Sequence, residues 1–198
     1  MKKLFGSILF FAALSTGAAN AAVTTHQFTG NFNTGNDVFT YAFTITEDTL
    51  ATFETFGYAG GTLANGTPVA DGGFDPTLTL FGSTFETPVI SDGGDAVGDD
   101  RKSAISDYGW DDLITLTLAP GNYIIAVTQF DNNWNTTINS WTNLAVDTFI
   151  DSGNSQRTDA YALQVTLAPA PVPVPAAMWL FGSGLFGLLW SAKRKQVI

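Results

Sequence analysis

The side chains best equipped for chemistry in this chain are carboxylates. They gather in three runs: Asp71 with Asp75, then Asp92, Asp95, Asp99 and Asp100, then Asp107, Asp111 and Asp112. Calcium takes about six to eight oxygen ligands from carboxylates and carbonyls on flexible, Gly-bearing loops. Asp92, Asp95, Asp99, Asp100, Asp111 and Asp112 are therefore candidate ligands, with calcium the one cofactor they suggest. No EF-hand is present, because the D-G-G-D run at 92–95 lacks alternate-position spacing and a closing Glu. The competing reading is a set of solvated carboxylates that keep the protein soluble.

A second set is aromatic and amide-rich. Trp134, Asn135 and Trp141 are candidates for a carbohydrate-binding surface, a ring face stacking on a pyranose while amides take its hydroxyls. The plainer reading makes the tryptophans a cap on one end of the core.

Other chemistries lack their residues. Without cysteine there is no disulfide, thiolate nucleophile or Cys-bearing zinc site. His26 is the single histidine, which excludes two-His zinc sites. Ser103 and Ser106 have no G-x-S-x-G context, and Gly60 and Gly61 are not followed by the Lys-Ser/Thr of a phosphate loop. The expectation is a protein that is not an enzyme. Paired carboxylates at a fixed distance would make a glycan hydrolase the remote alternative.

The elements that must position these residues read as strands, in short runs of Val, Ile, Thr, Phe and Tyr between Gly, Asn, Asp and Pro clusters. Phe39, Tyr41, Phe43 and Ile45 alternate with Thr40, Ala42, Thr44 and Thr46, the period of a half-buried strand. Residues 50–56 are expected to pair beside it through a turn at Glu47 and Asp48. Leu78 and Leu80 mark another strand. Residues 113–118 and 123–127 read as a hairpin closed by Ala119, Pro120, Gly121 and Asn122. Tyr161, Leu163, Val165 and Leu167 form a last strand, and the Gly-rich stretch 57–73 reads as a long flexible loop. Seven or more short strands predict an all-β fold, an antiparallel β-sandwich with jelly-roll-like character. A domain of this size buries a core without disulfides.

Both ends read as targeting segments. Residues 1–21 run from Lys2 and Lys3 through an apolar stretch to Ala19 and Ala21, the order of a signal peptide cut by signal peptidase. The ectodomain is then 22–168, holding Arg101, Lys102 and Arg157 against all 18 acidic residues, a balance that argues against nucleic acid as a partner. Residues 169–175 form a Pro-rich spacer. Residues 176–192 carry no charge and read as a short transmembrane helix, and 193–198 as a basic cytoplasmic tail that places the ectodomain outside.

The tail, with Val172, Pro173, Val174 and Pro175, then W-L-F-G-S-G-L at 179–185, then Lys193, Arg194 and Lys195, resembles the PEP-CTERM sorting signal in its VPxPA variant. Val174 stands where the eponymous motif has Glu. The resemblance implies a Gram-negative, exopolysaccharide-producing bacterium whose exosortase, a membrane-embedded cysteine peptidase, recognises and processes the tail. A second resemblance rests on F-D-P-T-L-T-L-F at 74–81, the acidic loop 92–100, W-D-D-L-I at 110–114 and L-T-L-A-P-G-N-Y at 116–123. These are similar to the DVUA0089 family of PEP-CTERM proteins and, more distantly, to bacterial pre-peptidase C-terminal domains. That resemblance implies a small, non-catalytic β-sandwich, some of whose relatives bind calcium or matrix polymers. The combined expectation is a secreted, exosortase-sorted protein that passes through the inner membrane to the cell surface or exopolysaccharide matrix. Its expected role there is structural or adhesive within biofilm, with a calcium- or carbohydrate-binding module as the alternative.

Overall fold

The computed structural model describes residues 22–92, 101–143, 148–151 and 153–170. Among them twelve strands follow in chain order: β1 (Thr24–Asn31), β2 (Phe39–Ile45), β3 (Thr49–Thr55), β4 (Gly61–Thr62), β5 (Pro68–Val69), β6 (Pro76–Phe81), β7 (Pro88–Asp92), β8 (Leu113–Leu118), β9 (Gly121–Gln129), β10 (Trp134–Asn135), β11 (Ser140–Trp141) and β12 (Ala160–Pro169). Two four-stranded antiparallel sheets, ordered β1-β12-β3-β8 and β2-β9-β6-β7, make the body, with β4-β5 and β10-β11 as small ribbons. Alternation assigns the faces. Phe43 of β2 lies 5.7 Å, ring to ring, from Phe53 of β3 in the opposite sheet, so the two sheets close over one core. Leu78, Leu80, Ile125, Leu163 and Val165 fill that core. The all-β sandwich expected from the strand pattern is the fold observed. The signal segment 1–21, the transmembrane segment 176–192 and the basic tail lie outside the described residues.

Two expected pairings are corrected. β2 and β3 do not pair, nor do β8 and β9; in each case the chain crosses from one sheet to the other. β2 pairs with β9 (Phe39 opposite Val127), and β3 pairs with β12 and β8. Period-two alternation identifies a strand's buried face. Two consecutive strands, however, bury their apolar faces in the same core whether they are neighbours or lie on opposite walls. Short connections at 46–48 and 119–120 permit either, and crossings of this kind belong to jelly-roll-like connectivity.

The stretch 57–73 is also corrected, from flexible loop to pinned structure. It carries the β4-β5 ribbon, whose Leu63 and Val69 pack with Phe56 and Ala162 on the outer face of the first sheet. Gly73 donates its N–H to the Gly57 carbonyl (2.8 Å), and a Cβ at Gly73 would fall 2.5 Å from both the Ala160 and Gly57 carbonyl oxygens. Glycine is there because two backbones cross, and the same Gly content that suggested mobility permits that approach.

Chain ends and loops separate along the sandwich. β1 begins at Thr24 opposite Leu167, and β12 ends at Pro169 opposite Thr49, so the chain enters and leaves the domain at one end. The opposite end is where β3 finishes, β8 begins and β12 begins. The loops 56–75, 101–112 and 148–159 gather there.

Candidate functional site

The loop end holds the densest polar assembly among the described residues, and it is built inward. Asp111 and Asp112 lie directly before β8 and are both fully buried. Asp111 Oδ1 accepts from the Thr55 hydroxyl (3.0 Å) and the Tyr58 N–H (3.0 Å), and Oδ2 from the Ala59 N–H (2.8 Å). Asp112 Oδ2 accepts from the Leu78 N–H (2.7 Å), tying this loop to β6 of the other sheet, while its own N–H donates to Thr55 Oγ1 (2.7 Å). Burial pushes the Asp111 pKa up, and it outweighs the Ala59 N–H, the Arg101 charge, the Tyr58 N–H and the Thr55 hydroxyl, all of which pull it down.

Arg157 is the second centre. Its guanidinium is buried over the Tyr58 ring, 3.9 Å from the centroid. Nε donates to the Gly73 carbonyl (2.9 Å) and Nη2 to the Tyr58 carbonyl (2.8 Å), and Asp71 faces it at 3.5 Å. Asp71 in turn accepts from the Ser103 hydroxyl (2.7 Å) and the Ala104 N–H (2.6 Å). Tyr58 Oη donates to Asp151 Oδ2 (3.1 Å) and lies 2.6 Å from Ser106 Oγ, which supplies the donor of that pair because the carboxylate can only accept. Burial raises the Tyr58 phenol to about 12. One tyrosine and one arginine thus clamp three loops, each polar group satisfied by another. A buried charge is tolerated only under such pairing.

The sequence-derived candidates fall as follows. Asp111 and Asp112 come together, buried, with their carboxylates turned onto protein donors. Asp92 closes β7 opposite Leu78. Asp95, Asp99 and Asp100 lie outside the described residues, as do Ala19, Ala21, Val172, Pro173, Val174, Pro175, Lys193, Arg194 and Lys195. Among the described residues no three His, Asp or Glu side chains converge as metal ligands. Trp134 and Trp141 are cross-strand partners in β10-β11 and meet Phe81 edge-on, with centroids at 5.2 and 6.0 Å. Trp134 Nε1–H donates to the Glu86 carbonyl (2.7 Å), and Asn135 Oδ1 accepts from the Thr137 N–H (2.9 Å) of its own turn. Tyr58, Arg157 and Asp151 were not singled out by sequence. The available signals were a lone Arg in a polar stretch between Asp151 and Asp159 and an Asp pair wedged between Trp110 and the apolar run at Leu113.

At the other end Pro169 is still paired in β12, and the Ala170 N–H donates to the Asp48 carbonyl (3.0 Å). The next residue opens the tail. Residues 171–195 match the PEP-CTERM protein-sorting motif. The sorting motif implies processing by an exosortase and export to the envelope or surface of a Gram-negative bacterium. No curated protein matches the chain. Solved structures similar to it include the pre-peptidase C-terminal domain of a collagenase from Bacillus anthracis, at 12% identity over 72% of this chain and 88% of that one with a TM-score of 0.37. Another is PliG of Aeromonas hydrophila, a periplasmic inhibitor of g-type lysozyme, at 14% identity over 73% and 84% with a TM-score of 0.33.

Proposed function

We propose that this exosortase-sorted protein is a non-enzymatic structural or adhesive component of the cell surface or exopolysaccharide matrix. In this reading 1–21 is removed on export, 176–192 holds the chain in the inner membrane, and processing of the tail hands the domain on. Kinship of the ectodomain with the DVUA0089 family belongs to the same reading and rests on the residues quoted for it.

One observation carries it: the last strand ends at Pro169 and the sorting motif starts at 171. Processing anywhere within the motif therefore leaves every strand of the sandwich intact. The carboxylates of Asp71, Asp111 and Asp151 and the Arg157 guanidinium are taken up by bonds that hold the loops together, which supports a load-bearing module. Fractionation of the native host tests the reading. Wild-type protein is expected in the surface and matrix fraction, and a Pro173→Ala, Pro175→Ala double variant in the membrane fraction. Deletion of the protein is expected to weaken biofilm cohesion. Equal distribution of both forms together with unchanged cohesion would overturn it.

A further inference from the structure

Three rings lead from the clamp to solvent. Tyr58 is fully buried, Trp110 lies 5.3 Å from it at 52°, and Tyr108 stacks on Trp110 at 4.6 Å and 4°. Tyr108 is 55% exposed and Ile105, in the same loop, 67%. A parallel stack uses one face of the terminal ring and leaves the other open.

The loop that carries Tyr108 is closed on itself. Ser103 N–H donates to the Tyr108 carbonyl (2.8 Å), Asp107 N–H to the Ser103 carbonyl (2.8 Å), and the Ile105 N–H to Ser103 Oγ (3.2 Å). Asp107 takes a left-handed φ of 62° to complete the turn. Ser103 is itself buried and tied to Asp71, and Ser106 to Tyr58. The ring is thus presented in a fixed attitude, which lowers the entropy cost of meeting a ligand. Asp107, its chain neighbour, is exposed beside it.

From this geometry we infer a carbohydrate-binding platform, with the open face of Tyr108 stacking on an uncharged, gluco-configured pyranose of an extracellular polysaccharide. In that configuration the ring hydroxyls are equatorial, so the C–H bonds form a flat apolar face that matches an aromatic face, while the hydroxyls stay at the rim, where Asp107 is the chain neighbour of the ring. Charge selects among polymers. The ectodomain sets 18 acidic residues against three basic ones, so a polyuronate is repelled. A protein partner is disfavoured because a stable interface needs more than about 1,000 Å², and one ring with Ile105 is a small apolar patch. The platform also lies at the end of the sandwich remote from Pro169, facing away from the point where the chain leaves the domain. The inference deepens the matrix reading and rests on it only for where such a glycan is met.

Affinity electrophoresis and tryptophan fluorescence of the full chain, with Trp110 reporting on the ring stacked over it, test it with soluble barley β-glucan, with alginate as the anionic comparator. Wild type should be retarded by the glucan and not by alginate. Tyr108→Ala should weaken glucan binding about tenfold or more, Tyr108→Phe should keep it within about threefold because the ring rather than the hydroxyl stacks, and Ile138→Ala, at an exposed site elsewhere, should leave it unchanged. Melting curves confirm that the variants fold. No retardation by glucan, preference for alginate, Tyr108→Ala binding like wild type, or saturable Tyr108-dependent binding of a protein in place of glucan would each overturn the platform. Host fractionation reads the sorting separately: mislocalised protein that still binds glucan sinks the proposed function alone, and correctly sorted protein that ignores glucan sinks the platform alone.

Discussion

The two aromatic regions of this domain use rings in opposite ways. Around Phe81 of the second sheet, Phe85, Trp134 and Trp141 pack edge to face at 5.0 to 6.0 Å, and the two tryptophans meet each other edge-on at 5.2 Å. At the loop end Tyr58, Trp110 and Tyr108 form a ladder whose last ring faces solvent. The first group is ring packing over a paired ribbon, with the Trp134 indole also donating to the Glu86 carbonyl. The second stands on the directional bonds of Asp111, Arg157 and Tyr58. Ring packing of the first kind closes a small core, while a hydrogen-bonded base can leave a ring face open, because the loop's position does not depend on burying that ring.

That contrast sets the order of mutational effects. Asp111→Ala should cost the most, about 4 kcal/mol by urea denaturation, because it strands the buried donors of Thr55 and Tyr58 and the half-buried N–H of Ala59. Asp111→Asn should cost less, about 2 kcal/mol, since one amide oxygen still accepts and the amide nitrogen then faces a donor. A variant as stable as wild type would show that the loop end is not held as described.

The same residue sets a pH dependence. Its folded pKa is raised above 3.8, so its contribution is fully present below that value and is lost as pH rises through the higher folded pKa. The stability advantage of wild type over Asp111→Asn should therefore shrink across that rise, and a widening gap would contradict the assignment. Trp134→Ala should show no such pH term.

Gly73→Ala comes next, at about 3 kcal/mol, because its Cβ would collide with two backbone carbonyls that have no side-chain freedom to retreat. Trp134→Ala should cost about 2 kcal/mol through lost ring contacts, its side chain being only partly buried. Smallest is Tyr108→Ala, within about 0.5 kcal/mol, since the exposed ring ends the ladder and supports nothing beyond it. A larger loss would make Tyr108 a structural residue.

Much of the fold was legible before the structure, and the reason is local. Phe39, Tyr41, Phe43 and Ile45 declare a buried face by themselves, and so do Leu163 and Val165. Strand partnership was not legible at β2-β3 and β8-β9, because a four-residue turn and a crossing between sheets look alike in sequence. The polar clamp was hidden for a related reason. Arg157 meets Tyr58 and Gly73 across 99 and 84 residues of chain, and no short pattern reports such a meeting. Asp111 and Asp112 were noticed for their charge, whereas their setting is decided by neighbours 34 to 57 residues away.

The central claim is that a self-contained sandwich ends where a processed sorting motif begins. Intact-mass measurement of the protein purified from the surface of its native host tests this most directly. The expected species starts near Ala22, retains β12 through Pro169, and lacks the C-terminal part of the segment 171–198. A mature mass that includes the whole tail through Ile198, or one that has lost β12, would contradict it.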